Sequence, residues 1–422
     1  MGDTLKVAVV GSGPAGCYLV ERLVKQAHDV EVDVLDRLPT PFGLVRYGVA
    51  PDHQTTKAIT RVLARALGRA PAAFFGNVSL GSDIDLSELR ELYDAVVLAT
   101  GAARDRGLGI AGEDLPGVIG SGSFVGWYNG HPDFTDLEPN LSNCRRVLVI
   151  GAGNVAIDVA RLLTKSAAEL AQSDLDPEVA AALNAMPLEE LRVVARGDAA
   201  RVKFTPVELA ELGDLERVDI VVDPDDLPPQ GIGDEAVQSI LRDFAARAPG
   251  GKPVKLHFDF NFEVKSIENK KEDVTVSFRN RKHGGAVVRQ ADLVVTCIGY
   301  EMGPLDGLAR EGGHLRNDAG RIEPGLYVVG WAKRGASGTI ATNRAESHAV
   351  ADRLLGEVRP SGASGREGLK ALLSERGCRW VDFDSWREIE AAETAGAGAD
   401  RVRRKFRSFE ALRQAAGLGA GS

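Results

Sequence analysis

Two short glycine-rich segments carry the clearest chemistry in this chain. Gly11-Ser12-Gly13-Pro14-Ala15-Gly16 follows the apolar run Val7-Ala8-Val9-Val10, and Gly151-Ala152-Gly153-Asn154-Val155-Ala156 follows Val147-Leu148-Val149-Ile150. Each has the pattern of a buried strand, a tight turn and a helix start. That geometry aims backbone N–H groups and the positive end of a helix at a pyrophosphate. One such motif is a weak signal; two, about 140 residues apart, point to two dinucleotides on one chain and to electron transfer between them. Asp36, twenty residues beyond Gly16, ends the strand after the first turn. A carboxylate there can accept hydrogen bonds from ribose hydroxyls.

Other reactive side chains are sparse. His28, His131, His257, His283, His314 and His348 fall in no recognisable constellation and read as surface or structural. His53 lies in Phe42-Gly43-Leu44-Val45-Arg46-Tyr47-Gly48-Val49-Ala50-Pro51-Asp52-His53-Gln54, an apolar segment rich in Gly and Pro. Such a segment suits an ordered irregular loop of the kind that lines sites, and spacing alone leaves His53 equally open to a structural role. Cys17, Cys144, Cys297 and Cys378 stand far apart and read as reduced thiols. With no Cys-x-x-Cys pair, disulfide reductase chemistry is disfavoured, and with no close cysteine spacing so is a built-in iron–sulfur cluster. There is no nucleophile elbow, metal-binding histidine pair or P-loop lysine.

The elements that must hold these residues fit 422 residues, enough for two or three domains. A hydrophobic fraction of 44% and a charged fraction of 26% are those of a globular protein. The net charge of −9 argues against nucleic acid as a partner. The N-terminus enters a strand within six residues, without a signal peptide. No apolar stretch reaches the roughly 20 residues of a membrane helix. A soluble, cytoplasmic protein is the expectation; nothing in the sequence sets an oligomeric state.

Residues 6–36 form a first βαβ unit, with its helix around 18–26. A strand at 95–98 ends in Ala99-Thr100-Gly101-Ala102, a small-residue turn suited to a ligand approach or a domain crossover. A second βαβ unit starts at Arg146, with a helix at 155–163 and a strand at 191–194 that ends in Ala195-Arg196-Gly197-Asp198. Residues 254–300 look antiparallel. The strand 326–329 leads into a third glycine-rich turn, Arg334-Gly335-Ala336-Ser337-Gly338, before another helix. Residues 357–365 read as a linker. The tail 366–422 is charged and helical in pattern, and its basic run Arg401-Val402-Arg403-Arg404-Lys405-Phe406-Arg407 reads as the solvated face of a surface helix.

The loop Gly43–His53 resembles the hallmark of the adrenodoxin-reductase-like ferredoxin–NADP reductases. Phe124-Val125-Gly126-Trp127-Tyr128-Asn129-Gly130, Gly153–Arg161, Phe204–Glu211 and Gly330-Trp331-Ala332-Lys333-Arg334-Gly335 are similar to further segments of that family. The likeness runs from residue 5 to about 355, and more loosely through the tail. It implies an α/β fold of two Rossmann-like dinucleotide-binding domains, the nicotinamide domain inserted into the FAD domain. The expected division is 1–103 and 325–422 for FAD and 104–324 for NAD(P)H. By similarity, Gly11, Gly13, Ala15, Asp36, Leu44 and Val78 contact FAD from the N-terminal part. Trp331, Gly338, Thr339 and Ile340 do so from the C-terminal part. Gly153, Asn154, Val155, Ala156, Arg196 and Glu208 serve the nicotinamide nucleotide. His53, Asp158 and Glu211 match positions that orient the nicotinamide and tune charge near the flavin. The implied activity is hydride transfer from NAD(P)H to FAD, then single electrons to a ferredoxin. No protein nucleophile is needed for this, since the cofactor carries the chemistry.

One segment departs from the family pattern. NADPH-selective members carry Gly-Arg-Arg-Gly after the strand that ends the second βαβ unit, and this chain reads Ala195-Arg196-Gly197-Asp198. Losing one charge-assisted pair to the 2′-phosphate costs roughly 1.5–3 kcal/mol of NADPH preference. NADPH stays the expectation, only slightly ahead of NADH. Two other functions remain in view: a diaphorase or oxidase with no dedicated protein partner, and a noncatalytic flavoprotein sensor or subunit. An acidic ferredoxin needs a basic surface, for which Arg201, Lys203, Lys333, Arg334 and the basic tail run are the candidates.

Overall fold

The computed structural model describes residues 4–27, 29–270 and 273–419, so that His28 lies outside the described residues. The chain divides into two compact units, one of Met1–Arg104, Gly130–Thr135 and Tyr300–Ser422, the other of Asp105–Asn129 and Asp136–Gly299.

The first unit is built on a six-stranded sheet in the order Arg321–Glu323, Leu326–Val328, Ala95–Leu98, Leu5–Val10, Val30–Asp36, Ala72–Gly76. All neighbours run parallel except the edge pair Arg321–Glu323 and Leu326–Val328. The apolar run at Leu5–Val10 is what a strand covered on both faces requires. Val7, Val9, Val32 and Val34 pack into one core, and Ala8, Val10, Leu35 and Val96 into the core on the opposite face. The helix of the first βαβ unit is Pro14–Gln26, starting earlier than the sequence pattern indicated because Pro14 sits at its first turn, where a missing N–H costs nothing.

The second unit holds another six-stranded sheet, in the order Val118–Gly120, Leu293–Thr296, Arg146–Ile150, Glu190–Val194, Val254–Asp259, Val218–Val222, parallel throughout. The expectation of an antiparallel region over 254–300 is therefore corrected at both ends. Only Phe262–Lys270, Asp273–Asn280 and Ala286–Ala291 form an antiparallel sheet. Leu293–Thr296 is buried along its whole length, the mark of a central parallel strand.

The chain returns to the first unit at Tyr300, whereas the sequence reading put the return at 325. Met302 and Leu315 belong to the core beneath the first sheet. Residues 358–365 carry no regular structure but are tied down. Lys6 Nζ donates to the Ala363 carbonyl at 2.6 Å, and Ser361 N donates to Asp94 at 2.7 Å. The tail forms helices Arg366–Glu375, Phe383–Ala395 and Phe409–Ala415. The basic run is not the helical, solvated face expected of it: residues 402–407 have no helix, and Lys405 is buried. Its ammonium donates to the Arg46 carbonyl at 3.2 Å.

Candidate functional site

In the first unit, the glycine turn shows why each glycine stands where it does. A Cβ on Gly11 would lie 2.4 Å from the Ala99 carbonyl oxygen, and one on Gly16 would lie 2.1 Å from the Gly11 oxygen. These two positions let strand, turn and helix close on each other. Around Gly13 nothing comes within 4 Å of a Cβ. Gly13 is also the N-cap of Pro14–Gln26 and gives it no side-chain cap, so no cap side chain takes up the first-turn N–H groups. That is a seat for an anion at a helix N-terminus.

Asp36 stands beside this seat. Its carboxylate accepts from Ser12 N and Leu38 N, each at 2.9 Å, and from the Ser12 hydroxyl. Burial pushes its pKa above the usual carboxylate value, against the pull of those donors. The loop that begins at Phe42 closes over the turn. Phe42 N donates to the Ser12 carbonyl at 3.1 Å, and a Cβ on Gly43 would touch Gly13 Cα at 3.4 Å. Leu44 follows, 43% exposed although its neighbours Val45, Arg46 and Tyr47 are buried. An exposed leucine on a rigid loop beside an anion seat suits the apolar part of a ligand. Val78 differs: its side chain is buried in the core, and its N–H donates to the Asp36 carbonyl at 2.9 Å. Ala15 meets the segment that leads into the third glycine turn, since a Cβ on Gly330 would be 2.7 Å from Ala15 Cβ. Trp331 is anchored there by its indole N–H on the Ser337 carbonyl at 2.9 Å and stacks on Tyr300. Gly338 and Thr339 are exposed at the start of the Ile340–Glu357 helix, with Ile340 partly buried behind them.

His53 is the N-cap of the short Gln54–Lys57 helix and is partly buried. Its loop is fixed by a buried ion pair that sequence reasoning missed. Arg46 Nη2 lies 2.6 Å from Glu393 Oε1, with side chains 5% and 0% exposed. Glu393 also accepts from Phe406 N at 2.9 Å. The C-terminal tail thus holds the loop from behind.

In the second unit the turn repeats. A Cβ on Gly151 would lie 2.2 Å from the Cys297 oxygen, and around Gly153 nothing lies within 4 Å. Ala156 takes the place of Gly16 and is fully buried. Val155 is partly buried at the helix start. Asn154 turns its side chain to the protein, its amide oxygen accepting from Thr205 N at 2.8 Å. Lys203 N donates to the Ala152 carbonyl at 2.7 Å. These bonds strap residues 203–205 to the turn and set up the Pro206–Glu211 helix, which carries Glu208 and Glu211. Arg161 draws two predicted residues together: Nη2 lies 2.9 Å from Asp158 Oδ1, and Nε lies 3.3 Å from Glu211 Oε2. Sequence reasoning passed over Arg161, although a cation amid the buried residues of Asn154–Thr164 was a visible signal.

Arg196 is exposed at the end of Glu190–Val194. Asp198 accepts from Ala200 N at 3.1 Å and lies 3.4 Å from Arg201 Nε. Of the basic docking candidates, Lys333 and Arg334 are both paired with Glu346, with side chains 19% and 17% exposed. Arg201 and Lys203 are exposed. The four cysteines are free thiols. Burial pushes those of Cys17, Cys144 and Cys297 up, which makes them inert.

Residues 5–346 match the family model described as pyridine nucleotide-disulphide oxidoreductase. The chain is 38% identical over 440 residues to NADPH-ferredoxin reductase FprA of Mycobacterium leprae, covering 94% of this chain and 95% of that one. It is 35% identical over 460 residues to the mitochondrial NADPH:adrenodoxin oxidoreductase of Arabidopsis thaliana, covering 98% and 95%. The solved structure of Mycobacterium tuberculosis FprA in complex with NADPH superposes with a TM-score of 0.91 at 35% identity, covering 98% of this chain and 99% of that one.

Proposed function

The chain belongs to the pyridine nucleotide-disulphide oxidoreductase family, and from that premise we propose that it is an FAD-dependent NADPH–ferredoxin reductase. The observation that carries this is the doubled turn: an open glycine ahead of a helix N-terminus, once after a parallel strand in each of two six-stranded sheets. The residues fit FAD in the first unit. The Gly13 seat takes a pyrophosphate, Asp36 a ribose, and Leu44 offers apolar surface. Bound FAD supplies the conversion between a hydride donor and a one-electron acceptor.

The protein's own task is to bind and orient. Gly153 and the helix N-terminus behind it receive the pyrophosphate of NADPH, and Arg196 meets its adenosine end. Asp158 and Glu211 offer fixed carboxylates for the nicotinamide side. His53, on the loop held by Arg46 and Glu393, lines the flavin side. None of these groups has to move a proton for hydride transfer. The partner is an acidic iron–sulfur protein of the ferredoxin type, in keeping with the relatives' names. Among the described residues no helix is long and apolar enough to cross a membrane. We place the enzyme in the cytoplasm on its four free thiols.

A diaphorase without a dedicated partner is the second reading, and one observation favours it. Lys333 and Arg334 share the single carboxylate of Glu346, and Lys405 is buried, which thins the basic surface for docking. Stopped-flow mixing separates the cases. The reductase gives rapid flavin reduction by NADPH, then reoxidation by a ferredoxin at a rate that falls with salt. Reoxidation that is slow with every ferredoxin and indifferent to salt supports the diaphorase. Absence of flavin reduction by either NADPH or NADH rejects both enzymes in favour of a noncatalytic flavoprotein.

A further inference from the structure

Arg161 is the largest fully buried side chain among the described residues. It lies on a helix whose buried residues include Ile157, Val159, Ala160, Leu162 and Leu163. An apolar side chain of similar length would fill the same space. Taking a guanidinium out of water costs several kcal/mol, and buried ion pairs are often replaceable by packed apolar residues without loss of stability. Stability is therefore a weak reason for this cation.

The distribution of exposure suggests another. The Arg161 side chain is 1% exposed, while its partners Asp158 and Glu211 are 18% and 41% exposed. The cation is the fixed post, and the carboxylates extend from it toward the surface. They come from two elements, Asn154–Thr164 and Pro206–Glu211. The same two segments are joined at their other ends by the Asn154 amide and Thr205 N. Asn154 is itself part of the nucleotide-binding turn. One clamp thus sets the second segment against the turn, and the other sets where its carboxylate lies.

We propose that Arg161 is a positioning residue for hydride transfer: its guanidinium fixes Asp158 and Glu211 relative to each other and to the Gly151–Ala156 turn, and through them orients the nicotinamide ring. The inference rests on the function proposed above. Its test uses the FAD-loaded enzyme and four variants: Arg161→Met, Arg161→Lys, Asp158→Asn and the double Arg161→Met/Asp158→Asn. Two quantities are read, the limiting rate of flavin reduction at saturating NADPH and the Kd of NADP+ from the flavin difference spectrum.

Arg161→Met should lower the limiting rate at least tenfold and shift the Kd by less than threefold, because an orienting role acts on the rate more than on binding. Arg161→Lys, which keeps the charge but loses the two-sided fork, should fall between Arg161→Met and the native enzyme. The double variant should be no slower than the worse single one, since the two residues act as a unit. A limiting rate for Arg161→Met within twofold of the native value overturns the proposal. So do losses that multiply in the double variant. If Arg161→Met does not fold, a native limiting rate in Arg161→Lys overturns it as well. Native enzyme whose flavin is not reduced by NADPH fails the functional reading first, and the inference falls with it.

Discussion

Replacing Gly197 by arginine should turn a weakly NADPH-selective enzyme into a strongly selective one. At the end of Glu190–Val194 the guanidinium of Arg196 is exposed, and Arg281 Nη1 donates to the Arg196 carbonyl at 3.3 Å. Two residues on stands Asp198, whose carboxylate is held by Ala200 N and lies 3.4 Å from Arg201 Nε. Arg201 is thereby partly neutralised, and a 2′-phosphate that carries close to two negative charges finds no guanidinium at position 197. A charge-assisted hydrogen bond contributes roughly 1.5–3 kcal/mol. A second arginine should therefore raise the ratio of kcat/KM for NADPH to that for NADH by roughly tenfold to 150-fold. The backbone accepts the change: a Cβ on Gly197 meets only Arg201 Cβ, at 3.6 Å, without a left-handed conformation to strain it. Asp198→Asn should move the ratio the same way by a smaller factor, since it removes repulsion without adding a donor. The assay is steady-state reduction of ferricyanide with each nucleotide, together with calorimetric titration of adenosine 2′,5′-bisphosphate against 5′-AMP. A native preference for NADPH above roughly a thousandfold, some 4 kcal/mol, would refute the reasoning. An unchanged ratio in Gly197→Arg would refute it equally.

Three further outcomes follow from particular contacts. Gly13→Ala should leave the stability of the apoprotein within about 0.5 kcal/mol of native but weaken FAD binding, because its Cβ enters the open seat; Gly16→Ala, whose Cβ meets a backbone oxygen at 2.1 Å, should lose about 1–3 kcal/mol on urea unfolding. Glu393→Ala strands the Arg46 guanidinium in the interior and should cost about 3–5 kcal/mol, most of it recovered when Arg46→Met is added; a double variant as unstable as the single one would contradict this. His131 is depressed to about 4 by burial, with the Arg37, Arg46 and Lys405 charges adding to the effect and Asp133 opposing it. Its folded value lies below its unfolded one, so its contribution is full above about pH 6.5 and is lost as the pH falls toward 4, amounting to at most about 3 kcal/mol. Unfolding free energies at pH 7.5, 5.5 and 4.5 should fall less steeply in His131→Asn than in the native protein.

The parts of the molecule that could be read from sequence share one property: their constraint is local. Gly11 and Gly151 are dictated by backbone oxygens that leave no room for a Cβ, and no other residue type meets that demand. Asp36 lies at a fixed offset along one strand–turn–helix–strand unit. Strand direction is not local. Val254–Asp259 alternates buried with more exposed positions, as an antiparallel strand would, and only its neighbours on both sides reveal it as parallel. The return at Tyr300 escaped notice for the same reason, since Met302 and Leu315 would suit either core.

The charged residues show the limit most clearly. A charge run reads as solvated because burial needs a partner, and the partner is not in the run. Lys405 finds the carbonyl of Arg46, and Arg46 finds Glu393, about 350 residues away in sequence. Arg161 is the same case at shorter range. Its i, i+3 neighbour Asp158 is visible on one helix, but a lone pair of that kind belongs to any solvated helix face. What removes Arg161 from that class is Glu211 arriving from the Pro206–Glu211 helix, which lets the cation be buried and the carboxylates stay near the surface. The chemistry proposed for the second unit therefore rests on a tertiary contact between two motifs that the sequence displays separately. That contact makes the two carboxylates a unit, so Asp158→Asn and Glu211→Gln should show non-additive losses in flavin reduction by NADPH, and additive losses would mean that the two motifs act alone.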